Sequence, residues 1–153
     1  MNLPDNHPIT PSHPSLMHIR RVAHRLLLTQ DAAIALARER GDSLIFLYVV
    51  DTHFLDRTER AVRPDVVAEE MARMGQFLLT MAQERAQAQG VQTEVRIRHG
   101  EVLEEPKAAA LEEKADLVIL GHPGKEESTF RQADLESIAR EIEEETGVET
   151  RIV

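Results

Sequence analysis

Late in the chain an apolar run, DLVIL, passes straight into Gly121-His122-Pro123-Gly124, followed by Lys125, Glu126, Glu127, Ser128 and Thr129. Glycines directly after a strand let backbone N–H groups close on an anion, because no Cβ stands in the way. His122 and Lys125 add positive charge, and Ser128 and Thr129 add hydroxyl donors. Together they have the chemistry to hold a phosphate. Glu126 and Glu127 work against a polyphosphate by Coulomb repulsion unless they face away. A Gly-x-x-Gly spacing is short, so two readings stay open at this point: a phosphate cradle, and a bend that only closes the strand.

Other chemistry is sparse. His122 titrates near neutrality and suits acid–base work, yet no Asp or Cys is placed beside it, and no Ser stands in a GxSxG elbow. The chain holds no Cys, which removes thiolate nucleophiles, cysteine zinc sites and disulfides. His53 and His99 stand at or beyond strand ends, as His122 does, but nothing in their spacing makes the three converge, and no metal site is expected. His7 and His13 fall in a stretch with no preformed geometry for a metal.

The elements that must position these residues follow from composition and periodicity. A chain of 153 residues suits one domain. Residues 1–15 carry Pro4, Pro8, Pro11 and Pro14 with few apolar side chains and read as a flexible tail. Residues 16–153 form the domain. No run is apolar and long enough to span a membrane, and no basic start leads into an apolar signal. The net charge of -9, with Lys and Arg scattered, argues against nucleic acid. A cytoplasmic setting is expected.

LMHIRRV, at 16–22, reads as a first strand, and a helix follows from about residue 24 to the stop at Gly41. SLIFLYVV, at 43–50, is apolar without a break, which suits a strand covered on both faces. Residues 65–89 form a long helix in which Val67, Met71, Met74, Phe77, Leu78 and Met81 share a stripe. Such a methionine stripe suits an adaptable binding face, but the expectation is that it packs against the sheet. VQTEVRIRHG alternates as a strand with one face more exposed. A helix follows from about Glu105, with Pro106 in its first turn. Next come the strand DLVILG, a helix between Phe130 and Thr146, and a last strand, VETRIV. The acids Glu141, Glu143, Glu144 and Glu145 read as a solvated helix face.

Strand and helix alternate throughout, so the expected class is α/β: a single-domain open parallel five-stranded sheet with helices on both faces. Ligands bind such sheets outside the carboxyl ends of the strands, where the strand order reverses. Val49, Asp51 and the turn at Gly121 all sit at carboxyl ends.

The order of elements and three phrases, ALARERGDSLIFLYVVD, GVQTEVRIRHGEV and KADLVILGHPG, resemble the universal stress protein family over residues 33–153. The resemblance implies a Rossmann-like fold of the adenine nucleotide alpha hydrolase-like kind. It also implies a non-enzymatic stress-response role and a homodimer paired through the last strand, which begins at Val148 and ends at Val153. In members that bind ATP, the pattern is a first-strand aspartate, a backbone contact from the second strand, and Gly-x-x-Gly, nine residues, then Gly-Ser or Gly-Thr. By that resemblance Val49 is the backbone contact and Gly121 and Gly124 are the opening glycines. Ser137 aligns with the helix-start hydroxyl if two extra residues are allowed, but Glu136 then replaces the glycine. The first strand has no aspartate at its end, and Asp31 comes only ten residues before Gly41. Weak or no ATP binding is therefore expected. The alternative is ATP or AMP bound by the loop from Gly121 to Thr129, with Val49 at the base and Lys125, Ser128 and Thr129 at phosphates.

Overall fold

A computed structural model of the chain describes residues 15–20, 26–52, 63–121 and 132–153, with side chains for 29–52, 63–121 and 135–153. The first strand, β1, is Ser15–Arg20, and the first helix, α1, is Leu26–Arg40. RLLLTQ thus contributes to the helix, and Ser15, assigned above to the tail, opens the strand. The rest of the tail lies outside the described residues. β2 is Ser43–Val50, α2 is Pro64–Ala88, β3 is Thr93–His99 and α3 is Glu105–Glu112. β4 is Ala115–Leu120, α4 is Gln132–Thr146 and β5 is Glu149–Ile152. All five strands are parallel, in the order β3-β2-β1-β4-β5.

Alternation along the inner strands divides the interior into two cores. Leu44, Phe46, Tyr48 and Val50 of β2, with Leu117 and Ile119 of β4, meet Ala33, Ile34 and Ala37 of α1 and Leu79, Ala82 and Ala86 of α2. Ile45, Leu47 and Val49, with Val118 and Leu120, face the other way onto Ala109 and Ala110 of α3 and Ala139 and Ile142 of α4. A strand inside such a sandwich has no solvent face to mark with polar residues, which is why SLIFLYVV is apolar throughout.

Two helices stop as their glycines predict. Gly41 (φ 71°) and Gly90 (φ 79°) both adopt the left-handed conformation after the last helical turn. The following amides then reach back five residues, Asp42 N to Ala37 O (2.9 Å) and Val91 N to Ala86 O (3.0 Å), satisfying carbonyls the helix leaves open.

Two packing expectations need correction. The face of α2 against the sheet is built from small residues: Gly75, Leu79, Ala82 and Ala86 are buried, with Ala68, Met71, Ala72 and Leu78 beside them. A Cβ on Gly75 would stand 2.4 Å from the Tyr48 ring, so the helix lies too close for a methionine stripe. Met74, Phe77 and Met81 point outward instead. The acids of α4 are also not simply solvated. Glu141 and Glu145 both reach the buried ammonium of Lys107 on α3 (3.3 and 2.9 Å), with Glu104 a third partner at 3.3 Å. These carboxylates, Glu145 foremost, hold the Lys107 ammonium well above its ordinary range. Glu143 accepts a hydrogen bond from the Thr150 amide (2.8 Å).

β3, at the sheet edge, meets α3 through charge. Arg98 donates to Glu105 (2.6 Å) and Glu112 (2.6 Å), and Arg96 donates to Glu113 (2.8 Å). The hydrogen bonds that Arg98 donates to Glu112 and then to Glu105 hold its guanidinium above its ordinary range, and the Arg98 contact lowers the Glu112 carboxyl.

Candidate functional site

The order β3-β2-β1-β4-β5 reverses direction between β1 and β4, so the crevice of this sheet lies beyond the carboxyl ends of those strands. The ladder between β1 and β2 ends at Arg20 opposite Tyr48, whereas that between β2 and β3 continues to Val50 opposite His99. Val49 and Val50 close β2 beside Arg98 and His99 of β3, and the Val49 side chain is buried in the α3/α4 core. Asp51 follows at once. One of its carboxylate oxygens accepts a hydrogen bond from the Val102 amide (2.9 Å), while the Gly100 amide donates to Val50 O (3.1 Å). The carboxylate thus pins the β3–α3 turn to the end of β2.

At the end of β4, Gly121 is half-buried against the first turns of α1. A Cβ there would lie 2.7 Å from Thr29 Oγ1 and 2.9 Å from Thr29 Cγ2. The glycine is demanded by space for a buried threonine. Its φ is not among the positive values of the described glycines, so conformational freedom is not the reason at this position. The sequence carried no signal for Thr29, because the contact joins residues about ninety positions apart.

The predicted site residues separate into three groups. Val49, Asp51 and Gly121 are brought to the carboxyl ends of β2 and β4 as expected. His122, Gly124, Lys125, Ser128 and Thr129 lie outside the described residues. Ser137 is exposed on α4, five residues beyond Gln132 and so inside the helix rather than at its start, with Glu136 exposed next to it. Its amide belongs to the helix ladder, so the alignment that placed Ser137 at a helix start does not hold.

No acid is added by the first strand. The stretch between Arg20 and Asp31, RVAHRLLLTQ, holds no Asp or Glu. Asp31 itself lies within α1 and pairs with Arg85 of α2. Among the described residues, no group of three His, Asp or Glu side chains is placed to hold a metal ion. His99 is exposed at the end of β3, and His53 and His122 lie outside the described residues. Also among the described residues, no helix is long and apolar enough to cross a membrane.

No curated protein matches the chain. Solved structures do. A universal stress protein from Burkholderia pseudomallei aligns with a TM-score of 0.72 at 20% identity, over 92% of this chain and 96% of that one. The universal stress protein UspA from Lactobacillus plantarum aligns with a TM-score of 0.72 at 14% identity, over 92% and 97%. A universal stress protein from Archaeoglobus fulgidus, solved in complex with dAMP, aligns with a TM-score of 0.57 at 16% identity, over 92% and 96%. These likenesses establish the fold. The sequence profile of the universal stress protein family matches residues 28–146, from α1 to the end of α4, and the chain therefore belongs to the universal stress protein family.

Proposed function

We propose that this chain is a non-enzymatic regulatory or stress-response domain that works as a homodimer and binds ATP weakly or not at all. The observation that carries this reading is the end of β1. Arg20 is the last described residue of that strand, none of residues 21–30 is an acid, and the next acid along the chain, Asp31, is inside α1 and engaged by Arg85. A ribose offers two hydroxyl donors, and a carboxylate at that strand end would be their natural acceptor. Asp51, the nearest alternative in sequence to the crevice, already spends one oxygen on Val102. Glu126, Glu127 and Glu136 add negative charge to the segment that would face a polyphosphate, which is unfavourable by Coulomb repulsion.

Support for the homodimer comes from β5, which pairs with β4 on one side and is the last strand of the sheet. The Val153 amide donates to Leu120 O (2.9 Å), so by alternation the Thr150 amide points to the open side. An open strand edge is a template for a second copy. Glu143 occupies that amide, and a pairing strand would have to displace it.

A second reading, ATP or AMP held by the loop from Gly121 to Thr129, is favoured by the place of Val49 and Gly121 at the carboxyl ends of β2 and β4. Backbone groups around Val49 at the end of β2 could meet a base, and one relative of the same fold was solved with dAMP. Calorimetric titration with ATP, ADP and AMP in magnesium separates the two. Binding tighter than about 10 µM, near -7 kcal/mol, overturns the first reading. Under the second, Gly124→Asp abolishes the binding, and unchanged affinity refutes that placement.

A further inference from the structure

β5 ends the sheet, and its two faces carry different chemistry. Glu149 and Arg151 point to one face, where both are about half exposed and the Arg151 guanidinium donates to Glu149 (2.7 Å). Val148, Thr150 and Ile152 point to the other, where Val148 and Ile152 pack against the α3/α4 core and stay only partly buried. That core therefore stops at the sheet edge with apolar side chains half covered. The inward bond from the Val153 amide to Leu120 O (2.9 Å) means, by alternation, that Thr150 and Ile152 turn their backbone groups to the open side.

A closed pair made from one edge and its own copy is antiparallel about a two-fold axis, so that residue i meets j where j meets i. Outward backbone groups must face outward groups, which puts the axis on a residue of β5 rather than between two. An axis at Glu149 sets Glu149 against Glu149 of the second copy, and one at Arg151 sets Arg151 against Arg151. Like charges directly opposite are destabilising. An axis at Thr150 instead sets Glu149 against Arg151 of the second copy, twice. The four charges then alternate in sign around a square, so each keeps its partner within the strand and gains one across it.

The other face selects the same register. With the axis at Thr150, Val148 meets Ile152 of the second copy twice and carries the α3/α4 core across the edge, whereas the other two axes set Val148 or Ile152 against Thr150. Centring farther toward either end shortens the ladder. Two bonds within the chain must open for this pairing. The Thr150 amide gives up Glu143 (2.8 Å), an exposed carboxylate that returns to water, and the Val148 amide gives up the Thr146 hydroxyl (3.2 Å).

We infer, on the basis of the homodimer proposed above, that the β5 edge takes a second copy of this chain in one register, antiparallel about Thr150, selected by Glu149 and Arg151 on one face and by Val148 and Ile152 on the other.

The chain has no Cys, so introduced cysteines report cleanly. In this register positions 149 and 151 of the two copies form a non-hydrogen-bonded pair about 4.5 Å apart at Cα, within reach of a disulfide, while like positions stand beyond about 7 Å. Under mild oxidation an equimolar mixture of Glu149→Cys and Arg151→Cys should cross-link at least about tenfold faster than either variant alone or the exposed α4 control Glu144→Cys. In dilution light scattering, Glu149→Arg and Arg151→Glu should each weaken the dimer about tenfold. Mixing those two variants should restore it, because unlike charges again stand opposite, a rescue that general surface damage does not produce. A dimer in which the cysteine mixture reacts no faster than the single variants or the control overturns the register and leaves the homodimer reading standing. A wild-type chain that stays monomeric at roughly 50 µM overturns both.

Discussion

A methyl group added at Gly121 would press on both branches of a buried threonine, and this contact gives the clearest residue-scale prediction. Gly121→Ala should cost about 1–3 kcal/mol of stability by overpacking, measured by urea unfolding. Thr29→Ala combined with it should recover part of that loss; additive costs would show that the two positions are not in contact. Lys107 offers a second test. Its ammonium is almost fully buried and meets three carboxylates that are themselves about half exposed, so its replacement strands no buried charge. Lys107→Met should cost about 1 kcal/mol. Because the folded pKa is raised above the ordinary 10.5, the contribution of the lysine is complete below that value and is lost as the pH rises through the folded value. The stability gap between wild type and Lys107→Met should therefore hold steady from neutral pH to about 10 and narrow above it. A gap that narrowed on acidification alone would contradict the assignment.

At the scale of elements, most boundaries were legible because they rest on local chemistry. The unbroken apolar run of β2, the glycine stops at Gly41 and Gly90, and Pro106 in the first turn of α3 each act within a few residues. What stayed hidden depends on distant neighbours. The stripe on α2 has helical spacing whichever way it faces, and only the approach of Gly75 to the Tyr48 ring decides that small residues go inside and Met74, Phe77 and Met81 stay out. The acids of α4 looked solvated because their cation lies on α3, more than thirty residues earlier. Two element-scale outcomes follow. Gly75→Ala should push α2 off the sheet and cost about 1–3 kcal/mol, with faster amide exchange in β2 and β3. Glu143→Ala frees the outward Thr150 amide, so if β5 pairs with a second copy, the variant should associate more tightly in dilution light scattering. Weaker association would show that Glu143 supports the edge rather than blocking it.

For the whole molecule, one parallel sheet divides two cores and sets the carboxyl ends of β1, β2 and β4 around one crevice. That a ligand goes to the carboxyl ends of the strands was readable from alternation alone, whereas the order that sets the crevice between β1 and β4 came only from the folded sheet. Its chemistry was readable only in part. Asp51 looked available until its contact with Val102 was seen, and Ser137 looked like a helix-start hydroxyl until α4 was found to begin at Gln132. The family fold is retained, while the acid expected at the end of β1 is absent from this chain. The most direct test of that account is calorimetric titration of the full chain with ATP in magnesium. The account predicts no measurable heat of binding, or an affinity weaker than about 10 µM, and binding tighter than that would contradict it.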